Sequence, residues 1–123
     1  MVRWYGLDGR LISIDEADEL LADGAARTVA RTMITTGRGR IEVSTVFLVL
    51  DQSFGADDPP VLWETMVFGG PLDDHVHRYA SPDGARRGHA ERVTECRAAL
   101  AADGVAVLAS EHLDGPAAGT SHG

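Results

Sequence analysis

The chain of 123 residues contains no lysine: its 11 basic residues are all arginine, set against 19 acidic residues, for a formal charge of −8. That deficit of positive charge argues against long nucleic acid as the partner, because such binding draws its affinity from counterion release at a basic surface. There is a single cysteine, Cys96, so an internal disulfide is excluded and nothing depends on an oxidising compartment. The longest unbroken apolar run, residues 46–50, is far too short to cross a bilayer, and the first residues lack a basic segment followed by an apolar one. Together these absences predict a soluble, cytoplasmic, non-secreted protein with no membrane partner. The catalytic signatures are missing too. Ser44 and Ser53 have no Gly-x-Ser-x-Gly setting. Gly69-Gly70 is followed by Pro71, with no lysine behind it, so a P-loop or Rossmann turn fails. With no nucleophile, general base and orienter to assemble, the sequence leans away from an enzyme and assigns no catalytic residue, metal or cofactor.

What is present centres on residues 43–70, which hold Phe47, Phe54, Phe68 and Trp63 together with the longest apolar and β-branched runs. The length suits one domain with a core that needs no metal or disulfide. An Asp8-Gly9 pair between short apolar stretches signals a hairpin, and Ser13 with Glu16 three residues on signals the start of a short helix running to Ala22. Residues 27–35 and 40–50 are β-rich around a Thr36-Gly37-Arg38-Gly39 turn, residues 61–68 form a further strand, and residues 76–80 a short edge segment. Ser81-Pro82-Asp83 predicts a helix start, and Gly104 its end. Its apolar stripe is Ala85, His89, Val93, Cys96 and Leu100, with Arg86, Arg87, Arg92 and Arg97 elsewhere on the surface. The expected fold is α+β: an antiparallel meander of three to five strands packed against one long C-terminal helix, with a short N-terminal helix. Residues 105–109 could add a strand or remain coil. Residues 1–113 make the domain, and the Gly, Ala and Ser content of 114–123 predicts a disordered tail.

Strand parity puts Leu62, Glu64, Met66 and Phe68 on one face and Val61, Trp63, Thr65 and Val67 on the other. Both faces are apolar enough to need covering, one by a helix and the other by a partner subunit or the N-terminal segment, which implies a homo-oligomer. Glu64 then has two readings. It pairs with Arg31, Arg40 or Arg78 or reaches water at an edge, or it accepts hydrogen bonds from a ligand. His75 and His77 form a weak His-x-His match with no third ligand, which favours a solvated loop over a metal site. His89 reads as a core-facing histidine bonded to a carbonyl. Gly84 and Gly88 cost a helix about 1 kcal/mol each relative to alanine, which points to close approach of a strand, a subunit or a ligand.

The segments Ser44-Thr45-Val46-Phe47-Leu48-Val49-Leu50-Asp51-Gln52-Ser53-Phe54-Gly55, Trp63-Glu64-Thr65-Met66-Val67-Phe68-Gly69-Gly70, Arg78-Tyr79 and Ala85-x-x-Gly88-His89 resemble the signature of a family of small bacteriophage and prophage proteins, over residues 27–100. The chain departs from that pattern at Val49, where glycine is common, at Gln52, where histidine is common, and at Ser81-Pro82-Asp83. The resemblance implies a context, the cytoplasm of an infected host, and not a reaction. Small accessory phage proteins often act by blocking host defence, which suggests a sponge for a nucleotide-like signal. Its candidate ligand-binding residues are Phe54, Trp63 and Tyr79 for stacking, Arg78 for phosphate, and Glu64, Gly69, Gly70 and His89 around them. The alternatives are an acidic inhibitor that binds a host defence protein and an accessory factor of another role.

Overall fold

The computed structural model describes residues 3–52 and 59–118; the loop expected to carry Phe54 lies outside them. Helix α1 spans Ile14–Ala22, strands β1 and β2 span Thr28–Thr36 and Gly39–Phe47, and β3 and β4 span Trp63–Phe68 and Val76–Tyr79. Helix α2 spans Pro82–Ala102, strand β5 spans Val107–Asp114, and a 3-10 turn covers Pro116–Ala118. The strands form one antiparallel sheet in the order β4-β3-β2-β1-β5. This is the expected α+β meander with its long and short helices.

Local signals set the helix ends. The Ser13 hydroxyl accepts from the Glu16 N–H at 3.2 Å, and the Ser81 hydroxyl accepts from the Gly84 N–H at 2.9 Å with Pro82 opening α2. The N-terminal ribbon is reduced to isolated bridges, Tyr5 with Leu11 and Trp4 with Leu50. Val49, the position where the resembled pattern carries glycine, holds a left-handed φ of 70°.

Alternate residues of the inner strands face α2 and are buried: Thr32, Ile34 and Thr36 on β1, Val43, Thr45 and Phe47 on β2, and Trp63, Thr65 and Val67 on β3. The core beneath the helix divides into two apolar clusters. One gathers Tyr5, Ala17, Val29, Ala30, Phe47, Trp63 and Ala85, and the other Ile34, Ile41, Val43, Val67, Cys96 and Leu100. Ala17 of α1 belongs to the first cluster together with Ala85 of α2, so the N-terminal segment extends the covered side of the sheet. It does not roof the second face, as the apolar parity had suggested it could. That face remains open, with Phe68 44 % and Leu113 56 % exposed.

Two expectations are corrected by packing. Arg92, placed on the surface by its position off the apolar stripe, is buried. Burial works against its charge, but Glu95, which accepts from its Nε and Nη2 at 2.9 Å each, together with Tyr79 outweighs that and holds its pKa above the usual value. The C-terminal segment is longer and more ordered than its composition suggested. Val107–Asp114 pair with β1 along its length, Gly115 N–H donates to the Val29 carbonyl at 2.8 Å, and any Cβ on Gly115 would collide with the Thr28 backbone. Residues 119–123 lie outside the described residues.

Candidate functional site

In each inner element a polar residue stands between the two apolar clusters. On β1 it is Thr32, between Ala30 and Ile34; on β2 Thr45, between Val43 and Phe47; on β3 Thr65, between Trp63 and Val67. On α2 it is His89, between Ala85 and Cys96, only 3 % exposed. Thr45 and Thr65 are cross-strand partners, with hydroxyls 2.5 Å apart. His89 then bridges a diagonal of the sheet. Its Nδ1 lies 2.7 Å from the Thr45 hydroxyl and its Nε2 lies 2.8 Å from the Thr32 hydroxyl. Thr32 is also 2.7 Å from Nδ1 of His112 on β5, and His112 Nε2 is 3.0 Å from the Asp114 carboxylate.

These five contacts form one chain, and counting protons gives its direction. A carboxylate only accepts, so His112 donates Nε2–H to Asp114 and, while neutral, leaves Nδ1 as an acceptor. Thr32 therefore donates to His112 and accepts from His89 Nε2–H. His89 Nδ1 in turn accepts from Thr45, whose oxygen accepts from Thr65. Each proton is used once, no group in the chain is left unsatisfied, and no buried charge is required. Burial, chiefly, and the neighbouring His112 push the His89 pKa down to about 4, with Asp114 opposing, so the imidazole is neutral near neutral pH.

The chain surfaces in a cleft of about 380 Å³ between α2 and the β1–β5 edge. Its polar wall is Thr32, Ser110, His112 and Asp114, and α2 contributes Arg86, His89 and Arg97, with Ala90 and Val93 as the apolar side. Arg97 donates to the Ser110 hydroxyl at 2.7 Å. Arg86 is held by Asp83 and by the Ala118 carbonyl, which fixes its guanidinium at the rim. Thr32, His112 and Asp114 have the connectivity of a nucleophile, base and orienter. The Thr32 hydroxyl, however, is bonded on both sides and the residue is 2 % exposed, so it acts as a link in the chain.

The described residues among those singled out from the sequence are spread over four places. Trp63 and Tyr79 are opposite one another on the covered face. Trp63 is buried against Phe47, with ring centroids 5.6 Å apart, and the Tyr79 ring lies where a Cβ on Gly88 would be. The approaching group that Gly88 admits is thus the side chain of a strand. Glu64 and Arg78 are opposite one another on the open face and form an ion pair at 3.0 Å, one of the alternatives open for Glu64. Gly69 and Gly70 make a left-handed turn at the far end of β3, where a Cβ on Gly69 would stand 2.5 Å from the Arg40 carbonyl oxygen. His89 alone of this set lines the cleft, with threonine hydroxyls rather than a carbonyl as partners. His112, Asp114, Thr32 and Arg97 were not singled out. The threonines carried a signal, since each is flanked two residues away on both sides by core side chains, whereas the role of His112 depends on a pairing 80 residues distant.

No family model, curated protein or solved structure matches the chain. Among the described residues no helix is long and apolar enough to cross a membrane, and no group of three His, Cys, Asp or Glu side chains could hold a metal ion.

Proposed function

We propose that the protein is a non-enzymatic binder of a small nucleotide-like anion, held in the cleft between α2 and β5. In the context implied by the phage resemblance, it would act in the host cytoplasm as a sponge for a defence signal. The observation that carries this reading is the pair of arginines that α2 sets at the cleft, Arg86 and Arg97, facing His112 and the hydroxyl of Ser110. Guanidinium forks suit phosphate, hydroxyls and an imidazole suit a sugar or base edge, and a cleft of this size is in the range that small ligands fill. Two of the stacking partners expected from the sequence are otherwise engaged, Trp63 with Phe47 and Tyr79 with Gly88, so the apolar wall at Ala90 and Val93 takes that part.

Thermal unfolding against a panel of cyclic and ADP-ribose-type nucleotides tests it. A bound nucleotide raises the Tm with concentration, because only the native state binds it, and Arg97→Gln weakens that effect about tenfold. If no member shifts the Tm, and protein incubated with activated host lysate releases no small molecule on heating, the reading is wrong.

A second reading, an inhibitor of a host defence protein, is favoured by the open sheet face, where Phe68, Val76 and Leu113 are exposed. One host protein retained at stoichiometric yield, and lost with Phe68→Asp, would support it. Self-association is part of the proposal as well. β5 is exposed along all eight residues and is the outermost strand of the sheet, an edge that invites a second copy. A light-scattering mass equal to the 13.1 kDa monomer at micromolar concentration would contradict it.

A further inference from the structure

The hydrogen-bond chain from Thr65 to Asp114 has a second state, which differs from the first by one proton on His112 and by turning the Thr65 proton out of the chain. With both ring nitrogens of His112 protonated, Nδ1–H donates to Thr32, so the Thr32 hydroxyl turns to donate to His89 Nε2. That nitrogen must then be bare, and His89 carries its single proton on Nδ1, donating to Thr45. Thr45 in turn donates to Thr65. The first state holds three hydroxyl protons and two ring protons, the second three and three. The added proton comes from water, and only N–H and O–H bonds exchange. His89 is neutral in both states; what changes is which nitrogen carries its proton.

We infer that His89 is a tautomeric relay: a proton taken up by His112 in the cleft, on acidification or with a bound phosphate-type anion, moves the His89 proton from Nε2 to Nδ1 and reverses the threonine hydroxyls behind it. The geometry favours the coupling, because Thr32 stands between two ring nitrogens at 2.7 and 2.8 Å, and accepting from both would leave its own buried proton without a partner in the chain. Other charges face His112. Asp114 on its own strand lies 3.0 Å from Nε2. Arg86 and Arg97 line the same cleft from α2, and His89 lies edge-on at 5.5 Å between ring centroids. From β1, Thr32 and Ala30 face this cleft and bring no charge. An anion between the two arginines and His112 therefore gains most when His112 is protonated, which makes binding proton-coupled. This last step rests on the cleft reading above; the relay itself does not.

The test is side-chain ¹⁵N NMR of the full chain without ligand, titrated from pH 8 to pH 5. The relay predicts that His89 stays neutral while its proton moves from Nε2 to Nδ1, in step with the protonation of His112. Thr32→Val breaks that step, so His112 still titrates while His89 keeps one tautomer, and Thr32→Ser, which retains the hydroxyl, restores it. If His89 holds a single tautomer in the wild type while His112 titrates, or if its switch survives in Thr32→Val, the relay is wrong. A separate arm adds inorganic phosphate or a nucleoside monophosphate at pH 7. A switch driven there supports proton-coupled binding, whereas an intact pH-driven switch with no response to either anion overturns the ligand step and leaves the relay standing.

Discussion

The two faces of the sheet are made from alternating residues of the same strands and treat polarity in opposite ways. Beneath α2 the linked polar groups, Thr32, Thr45, Thr65 and His89, are uncharged and each is held by a partner within 2.8 Å, and the buried Arg92 keeps its charge only with Glu95 bonded to it at 2.9 Å. On the open face they are charged, Glu64 with Arg78 and Arg31 with Glu42, in cross-strand pairs that solvent reaches. Glu64 and Thr65 are neighbours in β3, yet one keeps its charge at the surface and the other has become a link in a neutral chain. Desolvation accounts for the difference. A buried hydroxyl or imidazole is made whole by one or two hydrogen bonds, whereas a buried carboxylate costs several kcal/mol even when paired. Polarity under the helix is therefore specific and costly to disturb, and polarity on the open face is exchangeable.

That contrast can be broken most sharply at Gly88. An alanine there drives its methyl into the Tyr79 ring, which must leave its seat against α2; Gly88→Ala should lose about 3 kcal/mol in urea unfolding despite its better helix propensity. A loss under 1 kcal/mol would mean that the covered face is loosely packed. Next comes pH. The folded His89 has a pKa of about 4 against the ordinary 6.5, so between these values the unfolded chain binds a proton that the folded chain does not. Stability from this group is full above pH 6.5 and is lost as the pH falls towards 4, on the order of 3 kcal/mol. Wild type should lose about that much more than His89→Gln between pH 7 and pH 4, and equal losses would remove His89 from the account. Thr45→Val keeps the shape but strands the Thr65 hydroxyl and His89 Nδ1, for a cost of about 2 kcal/mol at neutral pH. The smallest effect belongs to the other face: Glu64→Gln should cost less than about 1 kcal/mol, the range of solvent-reached ion pairs, and a loss of 2 kcal/mol or more would erase the distinction between the faces.

Much of this architecture was legible wherever the signal was local. The two N-caps, the hairpin around Thr36–Gly39, the β3 strand and the end of α2 before Gly104 follow from a few residues each. Strand parity also separated Glu64 from Thr65 correctly, and of the two covers it allowed for the face of Met66 and Phe68, the N-terminal segment lies elsewhere. The site was less legible because it is assembled over long separations. His112 meets Thr32 across 80 residues, and Ala106 to Glu111 has little β-branched content to announce an edge strand. Arg92 was misplaced for the opposite reason, since its burial depends on a local acid, Glu95, that an apolar-stripe argument ignores. Helical spacing did place His89 in the core, and only the three-dimensional register of Thr32, Thr45 and Thr65 shows what it is bonded to.

The account stands on a polar chain that crosses the core without charge and opens into an arginine-flanked cleft. Its most direct test is the state of His89 in the free protein at pH 8, read from its side-chain ¹⁵N shifts and couplings while those of His112 show a neutral ring. A neutral ring with the proton on Nε2 and a bare Nδ1 is the predicted result; a cationic ring, or a proton on Nδ1, would contradict it.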